Sequence, residues 1–197
     1  MKKGKIIILS GPSGSGKTTL SNKILSSRIF KGKIVKSIST TTRPRRQGEK
    51  HGRDYIFISK ERFLYQKRAG HFLECQKVFD NYYGTPKNKV LELLKAGKNV
   101  LLCIDVKGAK VVRKKYPHAI TIFIKVLSLA ILRSRLAGRA TEQKNILTLR
   151  LKIARQELQD AKYYQHIIVN DDLDLAYKKL KIFLRKKLET GPLAGDK

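Results

Sequence analysis

Short apolar segments alternate along the chain with segments in which apolar residues recur at helical spacing. The apolar segments have the length of buried strands: Lys5–Leu9, Lys33–Ser39, Val100–Ile104, Ile120–Val126 and His166–Val169. The helical segments are Thr18–Leu25, Lys87–Ala96, Gly108–Lys115, Ser128–Leu136, Lys144–Tyr163 and Leu173–Leu188. Strands that alternate with helices predict right-handed βαβ units and an α/β fold with a parallel sheet flanked by helices.

Two stretches interrupt this alternation, at about residues 37–87 and 133–155. In the first, the polar and basic segment Thr40–Asp54 predicts a loop, and Tyr55–Ile58 predicts a short strand. Ser59 then suits the N-cap of a helix that runs to Ala69. The second stretch is rich in arginine. We expect both to be mobile lobes over a site at the carboxyl ends of the strands.

The strongest chemical signal lies between the first strand and the first helix. Residues 11–18 read Gly-Pro-Ser-Gly-Ser-Gly-Lys-Thr and match the pattern G-x-x-x-x-G-K-[ST] in full. Such a loop points backbone N–H groups at phosphate oxygens, while the lysine reaches the β- and γ-phosphates and the Thr18 hydroxyl ligates Mg²⁺. The alternative is a flexible Gly/Ser turn that matches by chance, and the flanking strand and helix argue against it. The predicted cofactors are ATP and Mg²⁺, bound by Gly11, Pro12, Ser13, Gly14, Ser15, Gly16, Lys17 and Thr18.

Asp105 follows the apolar strand Val100–Ile104, at a place where phosphate-binding loops find a second acidic residue. It could hold the metal through water or orient basic groups. The alternative is a surface aspartate in a strand-to-helix turn.

Composition limits the remaining function classes. The 197 residues carry 44 Lys and Arg against 15 Asp and Glu, a net charge of +29 that attracts polyanions. The basic residues are spread along the chain rather than gathered in one tail, so a solvated basic surface is the simplest interpretation, and no specific nucleic-acid motif is present. No apolar run could span a bilayer, which predicts no membrane association. Cys75 and Cys103 form no disulfide framework, so a cytoplasmic location is expected.

Several blocks of the sequence resemble the guanylate kinase family. They are residues 37–55, Phe72–Glu74 followed by Asn81–Thr85, Ile104–Gly108 and Ile168–Asp172. The resemblance covers residues 4–185 in consistent order. It implies a P-loop core of residues 4–36, 88–132 and 156–188, a GMP-binding lobe of residues 37–87 and a helical lid of residues 133–155, with residues 189–197 as a tail.

By the same resemblance, the reaction is transfer of the ATP γ-phosphoryl group to GMP, with dGMP as a related acceptor. The implied ligands of the acceptor phosphate are Arg43, Arg46, Tyr55 and Tyr83. The implied guanine contacts are Ser39, Glu74 and Thr85, and Asp105 is assigned to the GMP side as well as to the metal. The implied lid arginines are Arg135, Arg139 and Arg150, and Asn170 is assigned to the adenine side, where helix capping by Asp171 or Asp172 is an equal alternative.

The chemistry of guanine agrees with these assignments. Guanine presents N1–H and its 2-amino group as adjacent donors, and a carboxylate at Glu74 can accept from both. Adenine would place a lone pair there instead, and a mismatched buried polar pair can discriminate by about 10⁴-fold. Taken alone, Glu74 would be a surface acid.

This chain departs from the family pattern where Cys103 replaces a usual aspartate, where Lys107 replaces a glutamine, where Pro44 sits one place early and where Ala140 replaces a lid glycine. We expect altered rate or affinity rather than loss of activity. Three other functions stay open: a guanylate-kinase-like binding module without catalysis, a nucleic-acid-binding protein, and a kinase for another monophosphate.

Overall fold

The structure is a computed structural model, and it describes residues 3–137 and 144–189. The strands are β1 Ile6–Ser10, β2 Ile34–Lys36, β3 Thr40–Thr41, β4 Ile56–Phe57, β5 Phe72–Val78, β6 Asn81–Pro86, β7 Asn99–Cys103, β8 Ile120–Lys125 and β9 His166–Val169. The helices are α1 Lys17–Ser26, α2 Lys60–Arg68, α3 Lys87–Lys95, α4 Val106–Lys115, α5 Leu129–Ala137, α6 Lys144–Gln159 and α7 Leu173–Glu189. A short 3-10 helix, Asp160–Tyr163, follows α6.

The larger sheet has five strands in the order β2-β7-β1-β8-β9. The pair β2 and β7 is parallel, with Ile34 opposite Asn99, and so is the pair β8 and β9, with Ile122 opposite His166. Parallel neighbours need crossover connections, and helices supply them here: α5 and α6, for example, lie between β8 and β9 in the chain. The predicted α/β fold with a parallel sheet flanked by helices is confirmed.

Apolar runs become the central strands because both faces of a parallel sheet are covered. All five residues of β1 are buried, and the first five residues of β8 are buried as well. The fully buried side chains include Ile7, Ile8, Leu101, Leu102, Ile122, Phe123 and Ile124.

The chain forms two compact units. The first consists of the described residues of Met1–Ile8 and Lys31–Ala119, and the second of those of Leu9–Phe30 and Ile120–Lys197. The first unit contains a second sheet, of four strands in the order β4-β3-β6-β5. The second unit contains α5 and α6, which share a cluster of buried residues that includes Leu132, Leu136 and Ala154.

The four-stranded sheet is the main departure from the sequence prediction. The segment Thr40–Asp54 was expected to be loop, but Thr40 and Thr41 pair with Gly84 and Tyr83 of β6 and run parallel to β4. No strands were predicted for residues 72–86, which form the antiparallel hairpin of β5 and β6. Its turn has Phe79 at a φ of 53° rather than the Asn-Gly or Asp-Gly pair that marks a hairpin in sequence. A register shift between Phe72 and Glu74 also breaks the alternation of side chains.

Two helix boundaries also differ from the prediction. Helix α4 begins at Val106, two residues before the expected Gly108, because the Asp105 side chain caps it by accepting from the Gly108 N–H at 2.6 Å. The predicted helix Lys144–Tyr163 changes to 3-10 geometry at Asp160. The predicted cap at Ser59 is confirmed, since its hydroxyl accepts from the Arg62 N–H at 3.3 Å. The tail predicted from residue 189 lies almost wholly outside the described residues.

Among the residues that the structure describes, no helix combines the length and the apolar composition needed to cross a bilayer.

Packing in the first unit centres on one aromatic side chain. Phe63, on α2, is fully buried and stacks on Phe72 at 4.5 Å and on Tyr82 at 5.4 Å between ring centroids. These contacts attach α2 to the β5–β6 hairpin. Phe63→Ala should therefore lower the free energy of unfolding by about 3–5 kcal/mol, measured by urea denaturation, because it leaves a cavity as well as losing apolar burial.

Tyr65→Ala is the matched control for this prediction. Tyr65 lies on the same helix but its side chain is 63% exposed, so its truncation should change stability by less than about 1 kcal/mol. Equal losses for the two variants would contradict the central role of Phe63.

Candidate functional site

The loop between β1 and α1, in the second unit, adopts a conformation that its glycines make possible. Gly11, Gly14 and Gly16 have φ angles of 142°, 83° and 90°, which side chains disfavour. Space is equally tight: a Cβ at Gly11 would lie 2.2 Å from the Ile124 carbonyl oxygen, and one at Gly14 would lie 3.2 Å from the side chains of Leu132 and Leu136 on α5. The torsion angles therefore favour glycine at all three positions, and at Gly11 the close backbone contact excludes a side chain as well.

The interior of this loop fits an anionic ligand. Lys17 Nζ donates to the carbonyl oxygens of Gly11 and Pro12 at 2.7 and 2.8 Å, which places its ammonium group across the loop. Helix α1 starts at Lys17 without a side-chain cap, so its N-terminal N–H groups are available to a phosphate. The buried Ser15 hydroxyl has no hydrogen-bond partner among the described residues. A polar group in this condition is typical of a site completed by a ligand.

Asn170 holds the loop from the end of β9. It is buried, and its Nδ2 donates to the Ser15 carbonyl oxygen at 2.8 Å while its own N–H donates to the Lys125 carbonyl oxygen at 2.8 Å. Gly16 admits this contact, because a Cβ there would lie 2.1 Å from Asn170 Nδ2. The structure therefore gives Asn170 a part in shaping the loop, while its contact with adenine stays a prediction. Of the alternative capping residues, Asp172 accepts from the Leu175 N–H at 2.7 Å near the start of α7.

Two of the three predicted lid arginines lie on the helices that follow β8. Arg150, on α6, donates to the Ser13 hydroxyl at 3.3 Å, so the structure brings it to the loop of residues 11–18. Arg135 is half-buried on α5. Arg139 lies outside the described residues.

In the first unit, three of the residues assigned to the acceptor phosphate form one cluster. The Arg43 guanidinium lies over the Tyr55 ring at 5.6 Å, and the Tyr55 and Tyr83 rings meet edge to face at 6.0 Å. Burial, with smaller contributions from Cys103 and Tyr83, raises the pKa of Tyr55 to about 12. Tyr55 is therefore a neutral hydrogen-bond donor at physiological pH. Arg46, the fourth member, is exposed on the same loop.

Glu49 is a member of this cluster that the sequence analysis did not single out. Its carboxylate accepts from Arg43 Nη2 at 2.7 and 2.9 Å and from the Arg46 N–H at 2.9 Å. Burial alone would raise the pKa of Glu49, but these hydrogen bonds lower it below its ordinary value. The Glu49 carboxylate is therefore ionised and orients Arg43. Its three-residue spacing from Arg46 was the only sequence signal for this contact.

Glu74 and Thr85 meet on adjacent strands of the β5–β6 hairpin. They are opposite one another in the register, both are buried, and the Thr85 hydroxyl donates to Glu74 Oε1 at 2.6 Å. Burial raises the pKa of Glu74 to about 7, and the nearby charge of Asp105 adds to this effect, while the bond from Thr85 opposes it. Ser39, the third predicted guanine contact, is half-buried next to β3.

Asp105 lies near Glu74 and serves as the N-cap of α4. Its assignment as a metal or GMP ligand stays a prediction. The alternative was a surface aspartate in a strand-to-helix turn; Asp105 does lie in that turn, but it is half-buried and caps the helix. The structure therefore brings together Glu74, Thr85 and Asp105 in one place and Arg43, Tyr55 and Tyr83 in another, both within the first unit.

The raised pKa of Glu74 makes a prediction about stability. In the unfolded chain the pKa is near 4.5, so between pH 4.5 and 7 the folded protein holds a proton that the unfolded chain releases, and stability falls as pH rises through this window. Glu74→Gln keeps an acceptor for Thr85 without the charge. It should raise the free energy of unfolding at pH 8 by roughly 3 kcal/mol, with little effect at pH 4, measured by urea denaturation.

Glu92→Gln, at an exposed position on α3, is the control and should change the free energy of unfolding at pH 8 by less than about 1 kcal/mol. A Glu74→Gln variant whose stability tracks that of the unmodified protein at every pH would contradict the buried charge.

Comparisons with known proteins identify the family of this chain. The family model described as guanylate kinase matches residues 3–187. The guanylate kinase of Carboxydothermus hydrogenoformans is 41% identical over 184 residues, 93% of this chain and 89% of the relative. That of Clostridium tetani is 42% identical over 181 residues, 92% and 85% of the two chains.

Among solved structures, a guanylate kinase from Anaplasma phagocytophilum matches with a TM-score of 0.78 and 33% identity, covering 96% of this chain and 89% of that one. A family model that matches almost the whole length, together with relatives that are 41% and 42% identical, shows that this chain belongs to the guanylate kinase family.

Proposed function

We propose that this protein transfers the γ-phosphoryl group of ATP to GMP, giving ADP and GDP, in an Mg²⁺-dependent reaction of purine nucleotide metabolism and GMP recycling. The observation that carries the proposal is the buried carboxylate of Glu74, held by Thr85 on the β5–β6 hairpin. A phosphate-binding loop occurs in many enzymes that hydrolyse or transfer phosphate, so it does not identify the acceptor. A buried carboxylate is more specific, because it lowers stability unless a ligand with adjacent hydrogen-bond donors binds to it. Guanine has such donors at N1 and at its 2-amino group.

ATP is the proposed phosphoryl donor, bound by residues 11–18. The loop's N–H groups and the Lys17 ammonium would hold the phosphates, as the glycine torsions and the uncapped start of α1 support. Mg²⁺ would be held by the Thr18 hydroxyl and by Asp105. The ion would neutralise negative charge that develops on the phosphate oxygens during transfer. Among the described residues no three His, Cys, Asp or Glu side chains gather into a metal site. This fits Mg²⁺, which commonly takes one or two protein ligands together with phosphate oxygens and water.

The acceptor phosphate is assigned to Arg43, Arg46, Tyr55 and Tyr83. Arginine binds two phosphate oxygens at once and keeps its charge. Burial opposes the charge of Arg43, but the hydrogen bonds that Arg43 donates to Glu49 raise its pKa above the ordinary value. Tyr55 adds a neutral donor. Because an acceptor phosphate that is already ionised needs no general base, binding and orientation are the main tasks of these residues.

We assign one function to each predicted segment: the core binds ATP, residues 37–87 bind GMP, and residues 133–155 form a lid. In the lid, Arg135, Arg139 and Arg150 would stabilise the transferring phosphoryl group and exclude water. The contact of Arg150 with Ser13 supports this assignment for one of the three. We place the protein in the cytoplasm, a reducing compartment that suits a chain with only two cysteines, Cys75 and Cys103.

Acceptor choice is the direct test. With ATP and Mg²⁺, ADP release measured in a coupled assay should be fast with GMP, slower with dGMP and at background with AMP and UMP. Lys17→Ala should abolish turnover with every acceptor. Glu74→Gln should lower kcat/KM for GMP by about 10²-fold or more, because the amide opposes one of guanine's donors.

The rival functions give different results in the same assay. A binding module without catalysis would release no ADP above background with any acceptor. A nucleic-acid-binding protein would bind RNA or DNA with a steep salt dependence that Lys17→Ala leaves unchanged. Unchanged GMP turnover in Glu74→Gln would refute the assigned role of that carboxylate.

The pKa of Glu74 predicts how GMP affinity depends on pH. A pKa raised to about 7 means that the carboxyl group of the unliganded protein is increasingly protonated below pH 7, and a protonated carboxyl group cannot accept from both guanine donors. KM for GMP should therefore rise by up to tenfold per unit as pH falls below 7. In Glu74→Gln, only the titration of the GMP phosphate remains, so the difference between the two pH profiles isolates Glu74.

A further inference from the structure

Gly108 lies in the first turn of α4, directly against Glu74. It is buried, and a Cβ built on it would lie 2.5 Å from Glu74 Oε2 and 3.0 Å from Glu74 Cδ. Real Cβ atoms essentially never come so close, so any side chain at position 108 would require Glu74 to move. The carboxylate occupies the volume that a methyl group would otherwise fill.

The backbone at position 108 gives no other reason for glycine. Its φ lies outside the left-handed region, and the residue sits inside a regular helix, where glycine costs about 1 kcal/mol relative to alanine. The glycines of residues 11–18 differ in this respect, because their positive φ angles demand glycine regardless of space. At position 108 the requirement is for space alone.

Glu74 is held in place from two other sides. Thr85 donates to its Oε1 at 2.6 Å across the hairpin, and the side chain is only 7% exposed. Asp105 Oδ1, which accepts from the Gly108 N–H at 2.6 Å, would itself lie 3.3 Å from the added Cβ. The side chain of residue 108 would thus push the Glu74 carboxylate away from helix α4 while Thr85 holds its other oxygen.

We propose that Gly108 is a specificity-determining positioning residue, whose missing side chain leaves the space in which the Glu74 carboxylate meets guanine. The inference rests on the proposed function of Glu74 and extends it to a residue that does not touch the reacting atoms. Both residues belong to the first unit, and the contact joins the start of α4 to strand β5.

Gly108→Ala separates this role from a structural one. It should raise KM for GMP at least tenfold and reduce the preference for GMP over AMP, because small displacements of a binding group cause large losses. KM for ATP should stay within twofold. Lys110→Ala, at an exposed position on the same helix, is the matched control and should leave both KM values unchanged. An unchanged KM for GMP in Gly108→Ala, or an equal rise in both KM values, would overturn the proposal.

A double-mutant cycle tests the contact without any enzyme assay. In the Glu74→Ala background the space is empty, so Gly108→Ala should raise the urea midpoint through helix propensity. In the native background the same substitution should raise it less or lower it. Equal shifts in the two backgrounds would overturn the proposal, even if the protein phosphorylates GMP.

The cycle also distinguishes the two levels of inference. The urea midpoint could shift by different amounts in the two backgrounds while the unmodified protein shows no GMP turnover. That result would refute the proposed function but support the packing of Gly108 on Glu74. Binding of GMP alone, measured by calorimetry, then decides whether Gly108 affects recognition: weaker binding in Gly108→Ala supports the proposal, and equal binding overturns it.

Discussion

A carboxylate buried between a β-hairpin and the first turn of a helix is the constraint on which the rest of the first unit depends. Burial of Glu74 opposes its ionisation, and the neighbouring Asp105 opposes it further, so the folded protein carries an electrostatic cost at neutral pH. A single neutral hydrogen bond from Thr85 offsets only part of this cost. The ionised carboxylate is unfavourable in the empty site and becomes favourable when a ligand supplies two hydrogen-bond donors. Such a site can therefore select its ligand.

Close approaches that glycine allows occur in the loop of residues 11–18 and beside Glu74. Gly11 and Gly16 let the phosphate-binding loop pack against the Ile124 carbonyl group and the Asn170 side chain, and Gly108 lets α4 pack against Glu74. At the first two positions the torsion angle and the contact act together, and at the third only the contact matters. The positions of the loop of residues 11–18 and of the Glu74 carboxylate therefore depend on the absence of a side chain at these glycines as well as on hydrogen bonds.

Acidic residues are scarce in this chain, and several of them have defined structural tasks near the predicted sites. Glu49 orients Arg43, Asp105 and Asp172 cap helices, and Asp171 accepts from the Leu127 N–H at 3.1 Å. The net charge of +29 is far larger than two anionic substrates require, and many of the described lysines and arginines lie at exposed positions on α3, α4 and α7. The hydrogen bonds to Glu49, rather than the surplus of basic residues, orient Arg43 in its cluster with Tyr55 and Tyr83.

The sequence by itself determined the alternation of strands and helices, the phosphate-binding loop and the family, because apolar runs such as Ile120–Val126 and the spacing of residues 11–18 are local signals. It did not determine the β5–β6 hairpin, since the turn at Phe79 lacks the usual residues and pairing with β3 depends on residues some 40 positions away. It also left Glu74 indistinguishable from a surface acid without the family resemblance. Only the tertiary structure decided that Glu74 is buried, that Glu49 pairs with Arg43 and that Gly108 makes room, because burial and charge pairing arise from elements that meet in space and not along the chain.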